Sequence, residues 1–469
     1  MGFAKPSISP NQLTLSYYDR HSFILLFLSH QQKWRNFFTV AQNRCGRARA
    51  FVWRRRYRLD QIESRLLMRF LFYSHDGLGL GHTRRNLAIA SALTALEPRA
   101  SVLLAVGADC VSRLGLPPRV DILKLPGLRK ITNGHYSARY LSIPFDEIRG
   151  LRAAMLLAAV KSFAPAVALV DKHPFGAGGE FRAGLRALKE LGGKAVLGLR
   201  DILDEPAHVL EEWRPYHMQQ RIADFYDAIL VYGHRAVFDP LAAYEFPESV
   251  ESRTHFCGYV ANLENPEDVD EVNGTIPPRE HRTRPVVLAT AGGGEDGYVL
   301  LENFIRAAAA APWQGLVVAG PMTPDGQRNA LKRLAAEHRV AFRTFVQHLS
   351  GLFGSVDALV CMGGYNTVGE AVSKGVPVVC VPRVEPRSEQ WLRATAFERL
   401  GLLRVVQPDA LSAASLRGAV GTALSQPHDR LLERVREHLS FGGARQAAGR
   451  LCALASGSAL AAPPRRASA

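Results

Sequence analysis

The feature that most constrains the fold of this chain is a repeated alternation of short apolar runs with longer helical patterns. From residue 68 the apolar runs read RFLFYSH, SVLLAVG, VDILKLP, AVALVDK, KAVLGLR and DAILVYG, and helical stretches such as TRRNLAIASALTAL separate them. Such alternation favours a parallel sheet with helices on both faces. The pattern starts again at residue 285, with PVVLAT, GLVVAGP, AFRTFVQ, DALVCMG, VPVVCVP and LRVV.

A polar stretch at residues 261–284, ANLENPEDVDEVNGTIPPREHRTR, separates the two patterns. It contains Pro and Gly but no apolar period, which is typical of a linker. We therefore predict an α/β protein with two Rossmann-like domains, at 68–260 and 285–455, that face each other across a cleft. The length of 469 residues is consistent with two domains and extensions. We expect residues 456–469 to be a disordered tail.

Residues 1–67 carry most of the positive charge, with 12 Lys and Arg against 3 Asp and Glu, or +9 of the formal +15. The cluster WRRRYR at 53–58 can contact anionic lipid or nucleic acid. We favour the simpler interpretation, an unstructured extension or sequence upstream of the true start, because Met68 opens the first clear strand. We therefore expect no nucleic-acid partner. The early apolar run FILLFL is too short to span a bilayer.

The six cysteines are scattered and form no CxxC pair. This spacing argues against a structural zinc site or a disulfide framework and favours a reduced, cytoplasmic setting. We predict no metal site.

Two glycine-rich turns follow predicted strands in the C-terminal pattern. PVVLAT runs into Gly292, Gly293 and Gly294, where the backbone can approach a ligand and the following helix start favours an anion such as a diphosphate. Glu295 and Asp296 equally favour a self-capped helix start. An ordinary strand–helix turn therefore stays an alternative.

The second turn ends the strand DALVCMGG at Gly363 and Gly364. Asn366 and Thr367 can cap the next helix. Glu370 lies about one turn into that helix, where its carboxylate can accept hydrogen bonds from a ribose diol. A solvated Glu on a helix surface is the alternative.

A third strand, VPVVCVP, ends in RVEPRSEQ. Gln390 opens another helix at this edge and can reach a sugar hydroxyl. Arg383 and Arg387 can face a phosphate or be exposed.

The run GGYNTVGEAVSKGVPVVCVP, followed by SEQ, resembles the donor-nucleotide signature of GT-B glycosyltransferases, in particular the relatives of the peptidoglycan N-acetylglucosaminyltransferase. The resemblance implies that Glu370 holds the ribose and that Gln390 contacts the donor sugar. It places Gly364, Asn366 and Thr367 at the diphosphate, and backbone groups near Val346 at the base. The loop at 292–294 matches the family's first glycine loop, but the family's Ser or Thr is replaced by Gly294-Glu295.

The stretch SHDGLGLGHTRRN at 74–86 follows the first strand and opens a helix. Its G-x-G-x-G spacing is a weak match to a dinucleotide fingerprint. It resembles the GT-B loop that ends in Gly-His, which implies that Gly79, Gly81 and His82 face the cleft. A neutral imidazole there can take a proton from an acceptor hydroxyl. Arg84 and Arg85 can offset negative charge on either substrate.

Other polar side chains follow strands of the same domain. Asp171 and His173 follow AVALV, and Arg200 and Asp201 follow KAVLGL. Strand ends of this kind line the acceptor side of the cleft. Asp171 or Asp201 is the alternative to His82 as the catalytic base.

Together these features predict a glycosyltransferase that moves a hexose-type sugar from a nucleotide-sugar to an acceptor hydroxyl without a metal, and the family resemblance implies inversion. UDP is expected by family analogy. The nucleotide-sugar is a co-substrate, so no cofactor is predicted. Asp268-Val269-Asp270 has the DxD spacing of the other main glycosyltransferase fold, but it lies in the acidic linker.

Several alternatives stay open. They are a nucleotide-sugar epimerase on the same fold, a non-catalytic protein that binds a nucleotide-sugar, an NAD-dependent enzyme that uses residues 77–81, and a basic nucleic-acid binder that uses residues 1–67. The acceptor is undetermined. A lipid-linked acceptor and peripheral membrane contact are conceivable through the apolar helix RAAMLLAAV at 152–160, but a buried core helix accounts for the same residues.

Overall fold

The computed structural model describes residues 67–74, 81–108, 115–132, 135–261, 276, 278–346 and 348–457. Several sequence predictions lie outside these residues. They are the basic extension up to residue 66, Gly79 and the rest of loop 75–80, the DxD-like stretch with most of the linker, and the tail beyond residue 457.

The first sheet contains seven parallel strands in the order β3-β2-β1-β6-β7-β8-β9. Its strands are rich in Val, Ile and Leu, and the central ones are buried along their length because helices cover both faces of a parallel sheet. Their bounds are β1 Met68–Ser74, β2 Ala100–Val106, β3 Val120–Lys124, β6 Val167–Asp171, β7 Lys194–Arg200, β8 Ala228–Tyr232 and β9 Thr254–Phe256.

The second sheet contains six parallel strands in the order β12-β11-β10-β13-β14-β15. Their bounds are β10 Val286–Thr290, β11 Gln314–Val318, β12 Ala341–Arg343, β13 Ala358–Cys361, β14 Val378–Cys380 and β15 Arg404–Val405. A separate antiparallel hairpin, which the sequence pattern did not reveal, joins β4 Leu128–Thr132 to β5 His135–Ala138.

Helices connect the strands. The α-helices are α1 Gly81–Leu96, α2 Phe145–Phe163, α3 Arg182–Glu190, α4 Pro206–Trp213, α5 Met218–Phe225, α6 Pro240–Ala243, α7 Tyr298–Ala309, α8 Asp325–Glu337, α9 Tyr365–Ser373, α10 Glu389–Arg399, α11 Ala413–Leu424, α12 His428–His438 and α13 Gly443–Ser456. Short 3-10 helices span Arg214–Tyr216, Glu248–Arg253, Arg279–His281, Leu349–Ser355 and Pro408–Ala410. The predicted α/β class with two parallel sheets is confirmed.

The strand order reverses once in each sheet, between β1 and β6 and between β10 and β13. In sheets of this kind ligands bind in the crevice beyond the carboxyl ends of the strands at the reversal point. His82 and Asp171 follow or end the strands at the first reversal, and the two glycine turns follow the strands at the second. The topology therefore collects the predicted site residues at two crevices.

One hydrophobic core runs from the first sheet into the second. It includes Phe70 of β1, Leu288 of β10 and Leu451 of α13, all fully or almost fully buried. The helix α13 packs against α1, so the end of the described chain returns to the first sheet. Each sheet has a further core on its opposite face.

The apolar helix predicted around residues 152–160 is part of α2. Ile148, Leu156 and Val160 are buried, which agrees with the core interpretation, while Leu151 is exposed. Within the described residues, no helix combines the length and apolar character needed to cross a membrane.

A buried ion pair links the first sheet to the second. Arg393 of α10 donates from Nε to Asp201 Oδ2 and from Nη2 to Oδ1, each at 2.8 Å. The Tyr259 hydroxyl donates a further hydrogen bond to Oδ2, and the Ile202 amide donates one to Oδ1. Both charged side chains are almost fully buried, so the geometry of this pair fixes how α10 lies on the end of β7.

A second ion pair lies next to it. Arg200 Nη2 is 2.5 Å from Glu389 Oε2, and the Ser388 amide donates to Asp204 at 3.0 Å. Burial raises the pKa of Glu389, but the positive charges of Arg200, Lys172, Arg393 and Arg383 outweigh this and lower it to about 2.

The substitution Asp201→Asn should destabilise the fold strongly. It leaves the Arg393 guanidinium buried without its counter-ion, which costs about 3–5 kcal/mol of unfolding free energy. Urea unfolding followed by circular dichroism measures the loss. The control is Asp325→Asn at the exposed Arg328 pair, where about 1 kcal/mol or less is expected. Equal losses in the two variants would contradict the structural role of the buried pair.

The substitution Glu389→Gln should make the unfolding free energy less dependent on pH under acidic conditions. The pKa of Glu389 is lowered by folding from its ordinary 4.5 to about 2, so its contribution is present above the unfolded value and is lost as pH falls towards the folded one. The unfolding free energies of wild type and variant should differ by roughly 3 kcal/mol at neutral pH and converge only as the pH falls to about 2 or below. A difference independent of pH would refute the charge-based explanation.

Candidate active site

A cavity of about 370 Å³ lies between the carboxyl ends of the two sheets, and we call it the cleft cavity. Its wall contains nearly all the residues predicted for the donor: Gly292, Gly293, Gly294, Val346, Gly364, Asn366, Thr367, Glu370, Arg383 and Gln390. From the first half it takes Gly81, His82, Arg84, Arg85 and Arg200. Gly363 lies outside the lining, where its carbonyl accepts a hydrogen bond from Arg393.

The starts of α1 and α9, one from each half, lie close together at the cleft cavity. A Cβ on Gly81, the first residue of α1, would lie 3.4 Å from the Asn366 side-chain nitrogen near the start of α9. The first amides of a helix have no partner within the helix, and its N-terminus carries partial positive charge. The two starts therefore create a region that suits an anion.

The start of α9 differs from the prediction in its cap. The N-cap residue is Gly364, and no side chain caps the helix. Asn366 and Thr367 lie within the first turn instead, in the cavity wall. Their side chains are thus placed to contact a ligand, which a capping role would have prevented.

The loop at Gly292, Gly293 and Gly294 is held by the turn that follows β11. The Met322 amide donates to the Gly293 carbonyl at 2.8 Å. Gly294 has φ +97°, and a Cβ there would lie 2.8 Å from the Ala319 carbonyl oxygen. Only glycine fits this conformation and this close approach.

The acidic residues after this loop do not cap the next helix. The helix α7 starts at Tyr298 with Gly297 as its N-cap and no side-chain cap. Asp296 instead pairs with Arg383 at 2.8 Å, and the Arg383 amide donates to Gln390 Oε1 at 3.2 Å. Two segments of the cavity wall are therefore tied together by charge.

Glu370 is in the cavity wall and is 8% exposed. It lies in α9, whose first residue is Tyr365, so the residue is more than one turn into the helix. Glu370 is therefore a buried residue of the cavity wall and not a solvated residue on the helix surface.

His82, Asp171 and Arg85 form a buried cluster at the first reversal point. His82 Nδ1 is 2.9 Å from Asp171 Oδ2, and Arg85 Nη2 is 2.9 and 2.7 Å from the two Asp171 oxygens. The same Arg85 nitrogen is 2.8 Å from His82 Nδ1. The His82 side chain is 15% exposed, while Asp171 is fully buried behind it.

The charge state of this cluster follows from its contacts. Burial raises the pKa of Asp171, but the charges of Arg85 and His82 and their hydrogen bonds prevail and hold it well below its usual range. Arg85 also stacks over the rings of Tyr232 and Tyr365, at 5.2 and 5.5 Å from their centroids. Asp171 is thus a buried anion that orients the His82 ring through the contact at Nδ1.

The buried position of Arg85 was not predicted from the sequence. Arg84 and Arg85 both border the cleft cavity, but Arg85 is only 3% exposed and is held by Asp171. Residues three apart share a helix face, so the spacing from His82 to Arg85 was the signal that could have separated them.

Two other predicted residues lie away from the cavity. The Asp201 carboxylate is fully buried, accepts hydrogen bonds from Arg393, Tyr259 and the Ile202 amide, and does not line the cleft cavity. His173 lies in the wall of a second cavity, within the first half of the molecule. Arg200 does line the cleft cavity, paired with Glu389.

Residues 308–447 match the glycosyltransferase family 28 C-terminal domain. The NDP-glycosyltransferase YjiC of Bacillus licheniformis is 29% identical over 171 residues, which are 35% of this chain and 40% of that protein. The UDP-N-acetylglucosamine--N-acetylmuramyl-(pentapeptide) pyrophosphoryl-undecaprenol N-acetylglucosamine transferase of Corynebacterium efficiens is 30% identical over 146 residues, 31% of this chain and 38% of that protein. The chain thus spans about two fifths of the length of these relatives.

Solved structures show the same architecture over most of the chain. The calicheamicin glycosyltransferase CalG4 aligns with a TM-score of 0.55 and 19% identity over 83% of this chain and 98% of its own. Acinetobacter baumannii MurG aligns with a TM-score of 0.53 and 14% identity over 82% and 99%. The resemblance inferred from the stretch at 363–390 is confirmed. The chain has the GT-B fold of the glycosyltransferases, and its residues 308–447 match the C-terminal domain of glycosyltransferase family 28.

Proposed function

We propose that this protein transfers a hexose-type sugar from a nucleotide-sugar, with UDP the expected nucleotide, to an acceptor hydroxyl. The observation that carries the proposal is the cleft cavity, which brings the donor-signature residues of one half to the paired His82 of the other. The relatives named as glycosyltransferases support it.

The donor diphosphate would lie at the start of α9. Backbone amides there and at the glycine loop can donate to its oxygens, and the helix dipole favours its charge. Glu370 would accept hydrogen bonds from the ribose, and Gln390 would contact the sugar. Arg84, in the same wall, can offset charge that develops as the bond to the sugar breaks. We propose that this stabilisation replaces a metal ion.

His82 would act as the general base. Its Nδ1–H donates to Asp171, which leaves the Nε2 lone pair to take the proton from the acceptor hydroxyl. The acceptor oxygen then forms a bond to the anomeric carbon from the face opposite the diphosphate. The bond from that carbon to the phosphate oxygen breaks, and the nucleoside diphosphate leaves with the electron pair. One displacement inverts the configuration.

The position of Arg85 helps to determine which ring nitrogen of His82 carries the proton, because Arg85 and Asp171 both contact Nδ1. If Nδ1 carries the proton, Arg85 can hydrogen-bond only to Asp171. If Nδ1 is unprotonated, Arg85 can donate a hydrogen bond to it. Nε2 then carries the proton and cannot act as a base. The Asp171 anion favours the first arrangement because it accepts from both groups.

The test uses UDP-glucose and UDP-N-acetylglucosamine with water as the acceptor, and measures UDP release. His82→Ala should lower the release rate by about 10²–10⁴-fold, the usual contribution of a general base, and leave UDP affinity unchanged. Asp171→Asn should also lower the rate. The wild-type rate should increase with pH as an imidazole loses its proton, and His82→Ala should abolish this increase.

The control is His208→Ala, at an exposed histidine outside the cleft cavity, which should retain the wild-type rate. An isomerised nucleotide-sugar without UDP release would replace the proposal with an epimerase. Binding of UDP without any turnover, unchanged in His82→Ala, would leave a non-catalytic binding protein.

A further inference from the structure

A second cavity, of about 880 Å³, lies within the first half of the molecule, and we call it the lateral cavity. Its wall is made by α2, the segment 172–182, and the helices α4 and α5. It adjoins the catalytic cluster in sequence, because Lys172 in its wall directly follows Asp171. Arg387 reaches it from the second half, three residues before Gln390 of the cleft cavity.

We propose that the lateral cavity binds the acceptor, and that the acceptor is a small molecule with a planar ring system and a carboxylate or phosphate group. This inference rests on the proposed function. Its hydroxyl would extend past Lys172 to His82, while the ring and the anionic group stay in the lateral cavity.

The charge of the wall favours an anion. Five cationic side chains line it, from Arg149, Lys172, Arg182, Arg221 and Arg387. The carboxylates in the wall are those of Asp146, Glu180, Glu211 and Glu212. Glu180 is neutralised by Arg152 and Arg387 by Asp204, and both partners lie outside the lining. Arg149 pairs with Asp146 within the wall. The remaining cations, Lys172, Arg182 and Arg221, outnumber Glu211 and Glu212 by one, and this positive charge lowers the free energy of a bound carboxylate or phosphate.

The aromatic side chains of the wall favour a ring. Tyr216 lines the cavity and is 55% exposed, and the almost fully buried rings of Phe175 and Trp213 lie in the same wall. Trp213 is held by Tyr244 and Phe246, whose ring centroids are 5.9 and 5.7 Å away. Arg182 stacks over Phe175 at 5.4 Å. An aromatic surface next to a guanidinium suits a planar ligand that carries an anionic group.

The shape of the cavity is set by a buried network beneath the segment 172–182. Tyr73 donates to Glu180 Oε1 at 2.6 Å, Arg152 Nη2 donates to the same oxygen at 3.0 Å, and the Gly178 amide donates to Oε2 at 2.7 Å. Gly176 has φ +88°, and a Cβ there would lie 2.7 Å from the Glu180 carboxyl carbon. A wall fixed in this way loses little conformational entropy when a ligand binds.

The size of the lateral cavity favours a small molecule over a long lipid-linked acceptor. Pockets for small molecules commonly have volumes of about 300–1,000 Å³, and the lateral cavity falls within this range.

The test is a fluorescence titration of the full chain with 6-hydroxy-2-naphthoate, which has a planar ring, a hydroxyl and a carboxylate. The neutral probe 6-hydroxy-2-naphthamide has the same shape. We expect the carboxylate to bind at least about tenfold more tightly, the ratio given by one charge-assisted hydrogen bond. Arg182→Gln and, independently, Arg221→Gln should reduce this preference without changing the affinity for the amide.

The matched control is Arg186→Gln, one turn further along α3, exposed and outside the cavity wall. It should retain the full preference. Equal affinity for the two probes, or an unchanged preference in both cavity variants, would overturn the inference. So would binding to vesicles that contain undecaprenyl phosphate with no binding of the naphthoate.

Titration with UDP on the same samples separates the two claims. UDP binding that survives Arg182→Gln while the naphthoate preference is lost supports both. UDP binding with no naphthoate preference in the wild-type chain rejects the acceptor class alone. Failure to bind UDP, with the naphthoate preference intact, rejects the proposed function.

Discussion

The buried ion pair between Arg393 and Asp201 is the contact on which the cleft depends. Taking two charges out of water is costly, and the cost is recovered only when every hydrogen bond is well formed. Here both carboxylate oxygens are used, and Arg393 also donates to the Gly363 carbonyl. The pair therefore aligns the end of β7 with the glycine turn before α9. It lets the N-termini of α1 and α9 meet at one cavity.

The catalytic cluster follows from the parallel topology. Residues 89 positions apart, His82 and Asp171, come together because β1 and β6 are neighbours and end in register at Ser74 and Asp171. The dipole of α1, the Asp171 anion and the Arg85 cation then act on one imidazole. Arg85 extends this cluster to the second half, since it stacks on Tyr365 at the first position of α9. The proposed base and the proposed diphosphate site thus share a wall.

The sequence predicted the repeating elements well, because apolar runs and glycine turns are local signals. It predicted the cavity wall at Glu370 and Gln390 for the same reason, through a contiguous motif. Charge pairing is not local. Arg85, Glu389 and Arg393 look like solvated helix residues in the sequence, and only the packed structure gives each a partner. Asp201 was assigned to the site because it follows a strand, a rule that cannot tell a cleft-facing carboxylate from one that is buried in an ion pair.

The central claim is that the cleft cavity binds a nucleoside diphosphate, and thermal unfolding against UDP, GDP, ADP, TDP and NAD tests it most directly. A ligand at 100 times its Kd stabilises the native state by about 2.7 kcal/mol, enough to raise Tm by roughly several degrees. We expect such a shift with one nucleoside diphosphate, lost in Glu370→Ala and kept in the control Glu302→Ala, which lies outside the cavity wall on α7. A shift with NAD alone would rule out a nucleotide-sugar site and return the loop before His82 to a dinucleotide role.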